Sequence, residues 1–182
     1  MKKNIILISL LIISVLLIGC NEESIENKMS TKEYSDMALE LNDFPEGWSL
    51  FSRAERAKSD VSDNGLGLGW KGGYTVVMQK RDPNNVFLFE EVVQYISKYP
   101  LENMDKAFAS DDENEEELSD PGIGEKSAAY KITYEDEFGD KGSYYQIVFY
   151  KKDILVTIMS DGTTQDYELL KEITKKAENK IK

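Results

Sequence analysis

The sequence of 182 residues contains no histidine and only one cysteine, Cys20. Without an imidazole the chain cannot hold a histidine general base or a Ser-His-Asp triad, and it lacks the residues of the usual zinc sites. A single cysteine also excludes a disulfide within the chain. The remaining catalytic options are a carboxylate pair or a Ser-Lys arrangement, and the sequence contains no local signal for either. We therefore expect a protein that is not an enzyme.

Basic residues are also scarce, because 22 Lys and Arg stand against 34 Asp and Glu and give a formal net charge of −12. Nucleic-acid binding depends on neutralisation of phosphates by Lys and Arg. An acidic surface is also repelled by anionic lipid head groups, because both are negatively charged. We therefore expect no nucleic-acid partner and no basic membrane-binding patch.

The first twenty residues have the composition of an export signal. Lys2 and Lys3 precede residues 5–18, which are apolar except for two serines. This run is shorter than the roughly 20 apolar residues that span a bilayer. It ends in Leu-Ile-Gly-Cys at residues 17–20, which resembles a lipobox, the recognition sequence of bacterial and archaeal lipoproteins.

The resemblance implies a diacylglyceryl group on the Cys20 thiol and cleavage between Gly19 and Cys20. Two acyl chains, at about 0.8 kcal/mol per buried CH₂, hold a protein stably on a membrane. Cleavage would remove two lysines and no acids, leaving 20 basic and 34 acidic residues and a formal charge of −14. The predicted organisation is a signal peptide at 1–19, a lipidated cysteine and tether at 20–29, and a single α+β domain at 30–182, located on the extracytoplasmic side of the cell membrane.

Alternation of apolar and polar residues predicts antiparallel strands. The expected strands cover residues 48–53, 74–81, 86–96, 128–134, 144–151 and 154–159, with a turn at Lys152-Asp153 between the last two. Helices are expected after Ser30, after Pro100 and over 164–181, and the last has one apolar stripe that contains Tyr167, Leu170, Ile173, Ala177 and Ile181. The predicted fold class is therefore α+β, a single antiparallel sheet of about six strands with two or three helices on one face, preceded by a cleaved signal peptide.

Three segments carry a second resemblance. In order, LNDFPEGWSL, PGIGEKSAAYKITY and YQIVFYKKDILVTI, followed by a terminal helix, are similar to segments of small, uncharacterised cell-surface lipoproteins of archaea and bacteria. The layout also looks like the PsbP/Mog1-type α+β domain. The similarity covers roughly residues 40–182. It implies a fold and a cell-envelope location, and it carries no catalytic residue and no cofactor.

The segment SDDENEEELSD at residues 110–120 predicts an exposed acidic loop. Carboxylate oxygens are the ligands that Ca²⁺ prefers, and extracellular calcium sites can be weak. The candidate ligands are Asp111, Asp112, Glu113, Glu115 and Glu116. The spacing lacks the central glycine of an EF-hand, and a run of like charges is also typical of a solvated, mobile segment.

Tyrosine is frequent on the predicted strands, at Tyr130, Tyr134, Tyr144 and Tyr150 among others. Tyrosine rings combine contact area with a polar tip, which suits contact with carbohydrate or peptide. One face of the sheet is therefore a candidate ligand face. The alternative interpretation is that these rings form cross-strand packing pairs.

These observations favour a lipid-anchored extracytoplasmic protein that binds a small ligand or an envelope protein without catalysis. Two alternatives remain open at this point. One is a weak calcium-binding protein that uses the acidic loop at residues 111–120. The other is a carboxylate-dependent hydrolase of envelope glycans, which requires two carboxyl groups about 5 to 9.5 Å apart across a cleft.

A mass spectrum of the full-length protein, extracted gently from its own membranes, tests the predicted anchor at Cys20. We expect the mass of residues 20–182 plus one diacylglyceryl modification, because the lipobox directs both lipidation and cleavage. The mass of the uncleaved chain would contradict the prediction of lipid anchoring.

Overall fold

The computed structural model describes residues 30, 32–82, 85–109, 115–135, 139, 141–162 and 166–182. The predicted signal peptide, the predicted lipidated cysteine and the tether, all within residues 1–29, lie outside these residues. The four α-helices of the described chain are α1 (Tyr34–Met37), α2 (Asp63–Gly67), α3 (Met104–Phe108) and α4 (Tyr167–Lys180). The strands are β1 (Trp48–Glu55), β2 (Gly72–Asp82), β3 (Asn85–Lys98), β4 (Glu115–Glu117), β5 (Lys126–Glu135), β6 (Lys141–Lys151) and β7 (Ile154–Gly162).

The strands form one sheet in the order β1-β2-β3-β7-β6-β5-β4, and all neighbouring strands run antiparallel. The predicted α+β class with a single antiparallel sheet is therefore confirmed. The chain builds β1 to β3 as one meander and β4 to β7 as a second one. The pairing of β3 with β7 joins the two meanders at the centre of the sheet.

The sheet has seven strands where the sequence predicted about six, and the additional strand is β4. Its residues, Glu115–Glu117, belong to the acidic segment that was predicted to be an exposed loop, and they pair with Tyr130–Ile132 of β5. Three consecutive glutamates have no apolar alternation and so give no strand signal. Short, charged strands are common at sheet edges because they discourage pairing with other chains.

Helix α4 covers one face of the sheet, which we call the α4 face. Its first turn is capped by the side chain of Asp166, which accepts a hydrogen bond from the Leu169 N–H at 3.1 Å. The predicted stripe of this helix is confirmed at four residues that are fully buried against the sheet, namely Leu170, Ile173, Ala177 and Ile181. Tyr167 is partly buried, and its ring lies 5.4 Å from that of Tyr145 of β6.

Helix α3 lies on the opposite face, so the prediction that all helices share one face was wrong. Met104 and Phe108 of α3 are buried against Tyr99 and against the β5, β6 and β7 residues of this face, which are Ala128, Val148 and Leu155. Strands β6 and β7 have apolar residues at consecutive positions, so both of their faces exclude water. Helix α3 is only five residues long, and it covers the β5 to β7 part of this face and leaves the β1 to β3 part open.

A buried ion pair holds Ser30 against the sheet. The Lys98 ammonium lies 3.0 Å from Oδ2 of Asp153, and Oδ1 of Asp153 accepts a hydrogen bond from the Ser30 N–H at 2.7 Å. Lys98 also donates to the Ser30 carbonyl at 3.1 Å. Within the described residues no hydrogen bond of good geometry reaches Oδ2, so its compensation is the charge of Lys98.

Replacing Lys98 by methionine tests this ion pair. The Asp153 side chain is 2% exposed, so the variant leaves a buried carboxylate without its counterion. Removal of one partner of a buried pair is strongly destabilising, and we expect a loss of about 3 kcal/mol in the free energy of unfolding. The measurement is urea unfolding followed by circular dichroism.

The matched control is Lys126→Met, because Lys126 pairs with Asp105 at 3.0 Å on the surface, where Asp105 is 75% exposed. Exposed pairs contribute little to stability because water screens them, so we expect a much smaller loss for this variant. Equal losses in the two variants would contradict a special role for the Lys98 and Asp153 pair.

Candidate functional site

The uncovered part of the sheet face that carries α3 forms an open groove of about 560 Å³. The groove lies over β1, β2, β3 and β7, and its lining residues are Ser52, Ala54, Glu55, Arg56, Asp60, Thr75, Tyr95, Ser97, Tyr99, Leu155 and Thr157. This volume is within the range of small-molecule sites, about 300 to 1,000 Å³. We call this feature the Arg56 groove.

The floor of the groove follows from the sheet register. Ala54, Thr75, Tyr95 and Thr157 are directly opposite one another on β1, β2, β3 and β7, so their side chains share one face. The row continues through Val148 of β6, where α3 covers it. Small and hydroxyl side chains therefore line the uncovered half of the row, and apolar side chains line the covered half.

Arg56 follows β1 directly, and three contacts hold its guanidinium over the groove. Nη2 donates a hydrogen bond to the Asp60 carbonyl at 2.8 Å, and Nη1 donates to Oγ of Ser97 at 3.4 Å. The guanidinium carbon lies 5.2 Å from the centroid of the Tyr95 ring, a distance at which a cation is attracted to the ring face. The arginine is therefore held in one orientation by two different elements of the chain.

Gly73 makes room for this arrangement. A Cβ atom at this position would lie 2.6 Å from the Ile96 carbonyl oxygen and 3.4 Å from Cδ of Arg56. The Gly73 carbonyl also accepts a hydrogen bond from the Arg56 N–H at 3.0 Å. The absence of a side chain at residue 73 thus lets the arginine lie close to the sheet.

The charge of Arg56 is not paired with a carboxylate in the part of the chain that the structure describes. The ion pairs found there all use lysines. Asp60 lines the groove, but its contact with Arg56 is made through its backbone carbonyl, and its carboxylate accepts a hydrogen bond from the Ser59 hydroxyl at 3.1 Å. The groove therefore presents a partly buried cation that has neutral hydrogen-bond acceptors.

Tyr99 closes the end of the groove near α3 and is almost fully buried. Burial raises the pKa of its phenol above the ordinary value of 10.0, and the nearby charge of Arg56 opposes part of this rise. The phenol is therefore neutral at physiological pH, where it can donate a hydrogen bond.

The four tyrosines predicted to form a ligand face lie on the same sheet face as the groove, but on its β5 and β6 side. Tyr150 packs under α3, with its ring 5.8 Å from that of Phe108. Tyr130 is partly buried beside the same cluster. The rings of Tyr134 and Tyr144 are 6.2 Å apart near the far end of β5 and β6. Their role in ligand binding stays a prediction.

Most of the predicted cation ligands have side chains outside the described part of the structure. Asp111, Asp112 and Glu113 lie outside the described residues, and of Glu115 only the backbone, in β4, is described. Glu116 is exposed on β4. Among the described residues no group of three or more His, Cys, Asp or Glu side chains could hold a metal ion. The calcium site of the acidic segment therefore stays a prediction.

Gly19 and Cys20 also lie outside the described residues, so the predicted lipidation site has no structural account. In the described part of the chain, none of the helices has the length and apolar composition needed to cross a bilayer.

The sequence did not predict the groove residues as a site. Tyr95 is the exception, because it is one of the tyrosines on the predicted strands. Arg56, Ser97 and Thr157 are separated by 41 and 60 positions in the sequence, and the pairing of β3 with β7 brings the last two into neighbouring strands. A single arginine after a strand has no local pattern that indicates binding. The only available signal was the scarcity of basic residues, which gives each arginine more weight.

No protein-family model matches the sequence, and no curated protein matches it. Among solved structures, the chain is similar to an uncharacterised protein from Mycobacterium smegmatis, an Rv0999 ortholog. The TM-score is 0.50 at 10% sequence identity, and the similarity covers 82% of this chain and 96% of that chain. Similarity at this level of identity concerns the fold alone.

Tyr99→Phe tests the environment of the buried phenol. A tyrosine whose pKa is raised in the folded state stabilises the fold below the unfolded value of about 10, and this contribution is lost as the pH rises through the folded value. Phenylalanine does not ionise, so the stability of wild type relative to Tyr99→Phe should fall between pH 8 and pH 11. Urea unfolding at both pH values measures this difference. The control is Tyr134→Phe, which removes an exposed phenol, and an unchanged difference for Tyr99→Phe would contradict the assignment.

Proposed function

We propose that this chain is a lipid-anchored extracytoplasmic module that binds a ligand in the Arg56 groove and does not act as an enzyme. The observation that carries the proposal is the orientation of Arg56, which is held by Asp60, Ser97 and Tyr95 and has no carboxylate partner among the described residues. A guanidinium held in place before binding loses little further freedom when a ligand arrives, and this favours affinity.

Binding is favoured over catalysis by the chemistry of the same groove. An arginine stays protonated at all physiological pH values, so it can recognise and orient an anion but cannot act as a general base. Asp60 is occupied in the local structure through both its carbonyl and its carboxylate. The tyrosine that closes the groove has a raised pKa, which keeps it neutral and makes it a hydrogen-bond donor.

The proposed anchor and the groove belong to the same end of β3. Ser30, to which the predicted tether connects, contacts Lys98, and the adjacent residue Ser97 lines the groove. Residues 21–29 extend over at most about 30 Å. A lipid at Cys20 would thus keep the groove close to the membrane, where it would meet ligands of the cell envelope.

Native mass spectrometry of the full-length protein, extracted gently from its own membranes, tests the proposed binding function. Ala54→Trp is the blocking variant, because Ala54 is exposed and lines the groove opposite Thr75. Ser49→Trp is the control, because Ser49 is an exposed residue of the same strand that does not line the groove.

We expect wild type and Ser49→Trp to retain an additional mass that Ala54→Trp lacks, since the indole occupies the space of the ligand. Thermal unfolding checks that both variants are folded. Retention of the same mass by Ala54→Trp, or no additional mass on wild type, would contradict binding in the groove.

A further inference from the structure

Arg56 carries a charge that no carboxylate of the described residues neutralises. The chain has an excess of acidic residues, and six lysines of the described residues lie 3.0 to 3.9 Å from a carboxylate. Within the described residues, the partly buried guanidinium of Arg56 has a hydroxyl, a carbonyl and an aromatic ring as its partners. Removing a charge from water without a counterion is unfavourable. A ligand with a negative charge would supply this missing counterion.

The guanidinium of Arg56 has hydrogen-bond donors that the described contacts do not use. Arginine has five N–H bonds, and two of them are used by Ser97 and Asp60. The remaining donors belong to a planar group whose geometry matches the two oxygens of a carboxylate. The hydrogen bonds to Ser97 and Asp60 and the Tyr95 ring, 5.2 Å from the guanidinium carbon, hold the guanidinium in place before the ligand binds.

The charges of the groove argue against a ligand with more than one negative charge. Among the described residues that line the groove, Arg56 is the one basic residue, and Glu55 and Asp60 are acidic. A dianion such as a phosphate monoester would bring an uncompensated second charge near these acids. A monocarboxylate is neutralised by one arginine.

The other lining residues indicate which chemical groups the rest of the ligand carries. Ser52, Thr75 and Thr157 contribute hydroxyl side chains to the lining, and Tyr99 and Leu155 contribute aromatic and apolar surface. A volume of about 560 Å³ holds a small organic molecule rather than a folded partner. Hydroxyl or amide groups on the ligand would satisfy the polar side chains.

We infer that the Arg56 groove binds a small organic monocarboxylate, with Arg56 pairing with the carboxylate and the hydroxyl side chains contacting a polar body. This inference rests on the proposed function, because it names the ligand class of the same site.

The test compares two probes that differ only in charge, N-acetylglycine and its neutral amide, N-acetylglycinamide. Each is titrated into the ¹⁵N-labelled full-length protein in detergent, and amide NMR shifts of the groove residues report binding. The experiment is repeated with Arg56→Gln and with the control Arg53→Gln. Arg53 is exposed on β1, does not line the groove, and gives the same change in net charge.

We expect the acid to bind at the groove of wild type and of Arg53→Gln. Loss of a charge-assisted hydrogen bond weakens binding about tenfold or more. The amide on wild type, and the acid on Arg56→Gln, should therefore each bind at least about tenfold more weakly. The comparison of the two probes uses wild type alone, so it holds even where Arg56→Gln does not fold.

Three results would overturn the inference, namely equal binding of acid and amide, undiminished binding of the acid to a folded Arg56→Gln, and no shift of groove amides at tens of millimolar acid. Equal binding of both probes in the groove would leave the binding function intact and remove only the carboxylate. Native mass spectrometry of the Ala54→Trp variant tests the function separately.

Discussion

The pairing of β3 with β7 is the interaction on which the rest of this structure depends. It joins two meanders that are separate in the sequence and places both strands at the centre of the sheet. On the α4 face it brings Ile96 opposite Val156, both completely buried in the core. On the other face it brings Tyr95 opposite Thr157, which form the floor of the Arg56 groove. One register therefore determines both the core and the site.

The groove exists because the two faces of the sheet are covered unequally. Helix α4 has 14 residues and buries a long stripe, whereas α3 has five residues and covers only the part of the other face near β5, β6 and β7. The uncovered strands carry hydroxyl and small side chains, whose exposure to water costs little. The stability of the fold therefore does not require a helix over this part of the sheet.

Two cations at the same end of the sheet have different roles. Lys98 is neutralised by Asp153 and holds Ser30, so its charge contributes to the fold. Arg56 is held by neutral groups on the opposite face of β3, and no carboxylate of the described residues pairs with it, so its charge remains available. Adjacent residues of β3 point to opposite faces of the sheet, which separates the two functions by a single residue.

The sequence by itself determined the α+β class, the antiparallel strands, the hairpin at Lys152-Asp153 and the apolar stripe of α4, because each rests on a periodicity or turn signal read within a few residues. It also carries the lipobox resemblance at Cys20, which remains a prediction. Only the tertiary structure decided that β4 joins the sheet, that α3 lies opposite α4, and that Arg56 meets Tyr95 and Ser97. These features depend on register and on the covering of faces, which are set by contacts between residues far apart in the chain and leave no local pattern.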